Sequence, residues 1–202
     1  MSLATGLLLF AALAVGTATA QPSAARNPAH AGPAPAGAAL PTADPDLPRL
    51  VIPVAGVRAT QLIDSYQDGR PGHRHEAIDI MAPSGTPVLA AADGPLVKLF
   101  TSVPGGLTVY QFDRQGRYAF YYAHLDRYAS GMAEGMPLQR GQLIGYVGTR
   151  GNAPGHVPHL HFEVHRLGPE KQWWQGAPLN PFTALRNADE GPLSAPSGAA
   201  SP

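Results

Sequence analysis

The sequence predicts a mostly β domain, with antiparallel sheets in a sandwich- or barrel-like arrangement and long loops around a groove. Disordered extensions are expected at both ends. Three observations lead there. The apolar runs are short and broken by Gly and Pro, which number 23 and 22 of 202 residues, a pattern that suits strands better than helices. No stretch longer than ten residues keeps a helical apolar period, apart from the first twenty residues and a short candidate at 131–135. Asp113-Arg114-Gln115-Gly116 reads as a hairpin turn, with Gly available for a positive φ.

Taken in order, residues 1–20 read as an export leader. Positions 3–15 are almost wholly apolar, and Ala18-Thr19-Ala20 forms an A-x-A cleavage site before Gln21. The leader has no Lys or Arg before Arg26, so an uncleaved anchor is the alternative, although the 18 residues at 3–20 are barely long enough to span a bilayer. Residues 21–46 hold nine Ala, six Pro and two Gly. Such a segment buries too little apolar area to offset chain entropy and reads as a spacer. Residues 47–187 form one domain, and 188–202 read as a tail of the spacer type. Within the domain the expected strands are 50–54, 87–92, 95–103, 107–113, 117–123, 142–147 and 160–166. Ile78, Ile80 and Met81 also favour an extended chain.

Composition narrows the chemistry. Fourteen basic residues balance fourteen acidic ones, which argues against nucleic acid as the main partner. The domain alone carries 13 basic and 10 acidic side chains, an excess too small to identify a partner. Cysteine is absent, so disulfides, thiol nucleophiles and thiolate metal sites are excluded. Any metal must sit on His, Asp or Glu. No G-x-S-x-G occurs, which leaves a serine hydrolase without support.

Seven of the eight histidines lie between His73 and His165. Along His159-Leu160-His161-Phe162-Glu163-Val164-His165, strand alternation projects three imidazoles and a carboxylate to one face and Leu160, Phe162 and Val164 to the other. A polar outer sheet face is the alternative for this strand alone. His75 and Asp79 stand four apart. A helix would bring them onto one face, but flanking Pro71-Gly72 and Pro83-Ser84-Gly85 argue against one. On a straight strand they would be about 13 Å apart, so the chain must bend between them if both bind one ion. Glu76 would then point away into solvent.

His75-x3-Asp79, Gly85-Thr86-Pro87-Val88, Tyr122-Ala123-His124-Leu125, Gly145-x-x-Gly148 and His159-Leu160-His161-Phe162-Glu163 together resemble the lysostaphin-type zinc metallopeptidases, peptidase family M23. Pro178-Leu179-Asn180-Pro181 resembles the family's usual ending. The resemblance implies that His75, Asp79 and His161 bind one zinc, with His124 and His159 as the catalytic pair, their individual roles left open. It also implies a substrate in the peptide part of peptidoglycan, and so an exported protein, periplasmic or secreted, with no stable membrane span after processing. A non-catalytic cell-wall binding or amidase-regulating module on the same fold is the alternative, but such relatives would be expected to have lost zinc ligands. A small-molecule metallohydrolase is a third reading.

One position departs from the family pattern. Ala77 stands where the family usually has Gly, which costs about 1 kcal/mol if the site needs a positive φ. Ser65, Tyr66 and Arg70 resemble family positions beside the groove, equally open to substrate contact or a structural role. His30, His73 and His156 read as solvated, and His165 as too far along its strand to join the same ion. Trp173-Trp174 reads as loop packing, with a stacking platform as the alternative.

Overall fold

The computed structural model describes residues 44–70, 72–153 and 157–188. The expected leader at 1–20, His30, His156 and nearly all of both extensions lie outside the described residues. Among the described residues, no helix is long and apolar enough to cross a membrane.

The described residues form eleven strands: β1 (Gly69–Arg70), β2 (His73–Arg74), β3 (Ile78–Met81), β4 (Pro87–Leu89), β5 (Gly94–Ser102), β6 (Gly106–Phe112), β7 (Tyr118–Tyr128), β8 (Pro137–Leu138), β9 (Leu143–Val147), β10 (His159–Leu167) and β11 (Gly176–Leu179). A 3-10 turn at Ala59–Gln61 and one short helix, α1 (Phe182–Arg186), complete it. Strands β1 and β2 form a separate ribbon. The other nine make one sheet along β11-β10-β7-β6-β5-β8, with β3 added to β10, and β4 and β9 reached through β7. Every pairing is antiparallel.

Strand β10 organises the site. Its first half pairs with β3, setting His161 opposite Asp79, and its other edge pairs with β7, setting His161 opposite Ala123. The alternation read from the sequence holds here: Leu160, Phe162 and Val164 are buried in the main core, with Phe120 and Tyr122 of β7. Burying each such side chain contributes roughly 1.5–3 kcal/mol. Tyr122 is fully buried, and its hydroxyl is satisfied twice. It donates to Gln111 Oε1 at 2.7 Å and accepts the Ala91 N–H at 2.8 Å, while Gln111 Nε2 donates to the Ala92 carbonyl. The opposite face carries a second, aromatic cluster of Tyr110 and Tyr121 with Phe100 and Trp173.

Several elements differ from the sequence reading. Residues 50–54 run extended beside β4 but make only scattered bonds, among them Val51 N–H to Ala91 and Leu89 N–H to Pro53. Pro53 has no N–H to give, so no continuous ladder forms. Residues 131–135 are turns, not a helix, with Gly131 and Gly135 at φ of 76° and 86°. Strand β7 continues five residues beyond 123, and β1, β2, β8, β11 and α1 are additional. Residues 44–46, read as spacer, dock on the sheet: Asp44 accepts from the Tyr118 hydroxyl and pairs with Arg166, and the Asp46 carbonyl accepts from Arg117.

Candidate active site

The bend between His75 and Asp79 falls at Glu76, which adopts φ of 56°. Ala77 is fully buried and is not among the positive-φ residues, so it carries no left-handed strain. Glu76 is half-buried rather than solvated, and its N–H donates to the Tyr66 carbonyl at 2.9 Å. The turn brings His75 Nε2 to 3.0 Å from Asp79 Oδ1. Across the β3–β10 pairing, His161 Nδ1 lies 3.1 Å from both of those atoms. One ligand atom from each of His75, Asp79 and His161 therefore lies within 4.8 Å of the others.

Each of these side chains is held from behind. Ser65 supplies two supports: its carbonyl accepts the His75 Nδ1 proton at 2.9 Å, and its hydroxyl accepts the Asp79 backbone N–H at 3.0 Å. A carbonyl only accepts, so the His75 proton sits on Nδ1 and its Nε2 lone pair faces the cluster. Arg70 Nη2 binds Asp79 Oδ2 at 2.9 Å, which leaves Oδ1 directed inward. Ser65 and Arg70 are thus committed to the cluster's own side chains. On the far side, His161 Nε2 meets Glu163 Oε1 at 2.8 Å.

His124 and His159 stand beside this cluster. Their rings are 4.8 Å apart between centroids, His124 is 5.6 Å from the His161 ring, and His159 Nε2 lies 3.7 Å from Asp79 Oδ1. His159 Nδ1 donates to the Val157 carbonyl at 2.8 Å and His124 Nδ1 to the Arg150 carbonyl at 2.7 Å. Both rings therefore turn Nε2 into the groove as a free lone pair. His124 reaches this pose through a bulge. Two pair steps on β6 match three on β7, and His124 sits at φ of 60°. Bulges beside active sites re-aim a side chain in this way. Gly148 permits the close approach that follows: a Cβ there would lie 2.5 Å from the Asp126 nitrogen and 2.9 Å from the His124 carbonyl oxygen.

Electrostatics fit a cation at the cluster. Burial opposes charge on Asp79, but the hydrogen bond from His161 and the close approach of the His75 ring outweigh it and hold the carboxyl well below the usual carboxylate range. Burial likewise opposes protonation of His161, yet Asp79 and Glu163 lift it to about 9. In the metal-free protein a proton is thus held where three donor atoms converge. Two imidazoles and a carboxylate, with no thiolate, form the donor set of a catalytic zinc site that keeps a position open. Burial, with the charge on His161 second, pulls His124 down to about 4, so its ring is neutral and able to accept a proton at neutral pH.

The remaining sequence candidates fall outside the cluster. His73 is exposed on β2 and lines the groove. His165 stays outside the cluster, as its place along the strand implied; it is largely buried and bonds Glu163 Oε2 at 2.7 Å through Nε2. Trp173 packs on Phe100, Tyr110 and Trp174 at centroid distances of 5.4, 4.7 and 5.1 Å, which is the loop-packing role. Sequence reasoning gave Glu163 no task; its place two residues beyond His161 on one strand face was the available signal.

A β-sheet groove in which two imidazoles and a carboxylate converge, with two more imidazoles beside them, is the layout of a metal-dependent hydrolase. The chain belongs to peptidase family M23, whose profile matches residues 73–181. The DD-carboxypeptidase/endopeptidase Mpg of Neisseria meningitidis is 36% identical over 110 residues, covering 54% of this chain and 22% of that protein. The L-Ala–D-Glu endopeptidase of Bacillus subtilis is 31% identical over 117 residues, covering 55% of this chain and 34% of that protein. The catalytic domain of the antimicrobial peptidase lysostaphin from Staphylococcus simulans superposes with a TM-score of 0.50 at 28% identity, over 58% of this chain and 84% of that one. The chain thus spans 22% and 34% of the lengths of these two curated relatives.

Proposed function

We propose that this protein is a zinc endopeptidase that hydrolyses peptide bonds in peptidoglycan stem peptides or their cross-links, acting outside the cytoplasm. The observation that carries the reading is the convergence of His75 Nε2, Asp79 Oδ1 and His161 Nδ1 beside two imidazoles whose Nε2 atoms are free. A non-catalytic module has no use for so complete a set. The names of the Neisseria and Bacillus relatives, both peptide-bond hydrolases, support the substrate class and the export expected from residues 1–20.

His75, Asp79 and His161 would hold a single zinc ion. Zinc, when bound, supplies Lewis acidity that acidifies water and polarises a carbonyl. This chain's own residues handle the protons. Nε2 of His124 or His159 accepts a proton from the attacking water as the new C–O bond forms. Nε2 of the other ring can donate only when it carries a proton, as imidazolium. In that form it gives a hydrogen bond to the developing oxyanion, or its proton to the leaving nitrogen as the C–N bond breaks, and the proton taken from water replaces the one lost. The products are a carboxylate and an amine, and the imidazoles return to their starting state. The Arg150 and Val157 carbonyls keep Nδ1 of both rings protonated, as this requires.

The reading is tested on metal-stripped protein reloaded with zinc. Hydrolysis of purified sacculi should vanish on stripping and return near one equivalent of added metal. Activity that survives complete stripping would overturn it.

A further inference from the structure

Beyond the groove, the structure contains a second imidazole–carboxylate pair that no step above uses. Glu163 sits between two histidines, with Oε1 2.8 Å from His161 Nε2 and Oε2 2.7 Å from His165 Nε2. Gly176 on β11, the strand that pairs with β10 across His165, packs directly against the His165 side chain: a Cβ there would lie 2.9 Å from the His165 Cβ. The pair lies under an aromatic roof: Tyr110, Tyr121, Trp173 and Trp174 line a small cavity together with Glu163 and His165. Water has little access there, so the buried carboxylate depends on side-chain partners. Every buried side-chain nitrogen and oxygen among the described residues has a hydrogen-bond partner.

From this geometry we infer that His165 is a positioning residue for the metal centre, acting through Glu163 to keep the proton of His161 on Nε2 and its Nδ1 lone pair directed at the ion. The inference rests on the reading of His161 as a metal ligand. A neutral imidazole has one proton for two nitrogens. If that proton moved to Nδ1, the atom facing His75 and Asp79 would no longer be a ligand. A carboxylate oxygen on Nε2 prevents this, provided that the carboxylate stays in place. His165 fixes it by binding the other oxygen, and Gly176 packs against His165. The aromatic roof keeps water from substituting for either bond. Outer partners of this kind typically contribute 10–100-fold to metal affinity. The tryptophans thereby acquire a role in the site without touching substrate.

The test uses the full chain and reads zinc affinity by competition with a chromophoric chelator, with no substrate present. His165→Leu should weaken zinc binding 10–100-fold, and His165→Gln, which keeps a donor for Glu163, should recover most of that loss. Nitrogen-15 NMR of the zinc-loaded parent should show His161 protonated at Nε2 and bare at Nδ1, a readout that survives even if His165→Leu does not fold. Zinc bound through Nε2 of His161, folded His165→Leu protein binding zinc within twofold of the parent, or equal losses in the Leu and Gln variants would each overturn the inference. These results leave the endopeptidase reading intact. A parent chain that binds no zinc at all would instead bring down both.

Discussion

Replacing Ser65 with Ala tests how the metal cluster is built. The Ser65 hydroxyl accepts the Asp79 N–H at 3.0 Å and reaches the Ala77 carbonyl at 3.3 Å, and the residue is buried. The variant keeps the Ser65 carbonyl and therefore the support of His75. It leaves the Asp79 amide without its acceptor, and an unsatisfied buried donor costs about 1–3 kcal/mol. The bond to Ala77 is longer and adds less. The net expectation is a loss of about 2 kcal/mol in folding stability. Arg70 still grips Oδ2 of Asp79, so zinc affinity should fall at the lower end of the outer-partner range, by about tenfold. Urea unfolding of the metal-free protein gives the first quantity, with the slope m unchanged, and chelator competition gives the second. A stability change below about 0.5 kcal/mol together with unchanged zinc affinity would refute the reasoning. Ser65 would then serve the substrate, and its loss would appear as a raised KM.

Tyr122→Phe orphans Gln111 Oε1 and the Ala91 N–H in the core and should cost about 2–4 kcal/mol in chemical denaturation. Specific activity of the folded fraction should be unchanged, because this hydroxyl lies on the core face. Ala77→Gly, which restores the residue usual in the family, should destabilise by about 1–2 kcal/mol through loss of a buried methyl group and gain of chain entropy. Glu76→Gly should instead be neutral or mildly stabilising, since the left-handed φ belongs to Glu76; calorimetric melting of the two variants decides. His124→Ala and His159→Ala should each keep zinc by elemental analysis while hydrolysis falls by at least about 10².

The part of this architecture that depends on local period was legible in the sequence. Alternation along 159–165 is a property of consecutive residues, and the structure keeps it, with Leu160, Phe162 and Val164 inward. What depends on contacts far apart in the chain was not legible by period. His161 faces Asp79 across 82 residues because β10 takes β3 on one edge, and only the order of the motif blocks pointed to that meeting. The bend before Asp79 was expected from reach alone, but its seat at Glu76 rather than at Ala77 was not, since a single αL residue leaves no compositional mark. The left-handed pose of His124 was hidden for the same reason. Residues 50–54 show the converse failure. Their apolar run looks like a strand, and one proline turns the ladder into isolated bridges. At five residues, α1 is too short to display a helical period.

The central claim is that zinc held by His75, Asp79 and His161 drives cleavage of peptide bonds in the cell wall. Its most direct test is digestion of purified sacculi by the zinc-loaded protein, with the released muropeptides identified by mass and by their new termini. The account predicts fragments bearing new amino and carboxyl ends, intact glycan linkages, and no release by His75→Ala or Asp79→Ala protein. New reducing sugar ends, or equal release by the variants that lack a ligand, would contradict it.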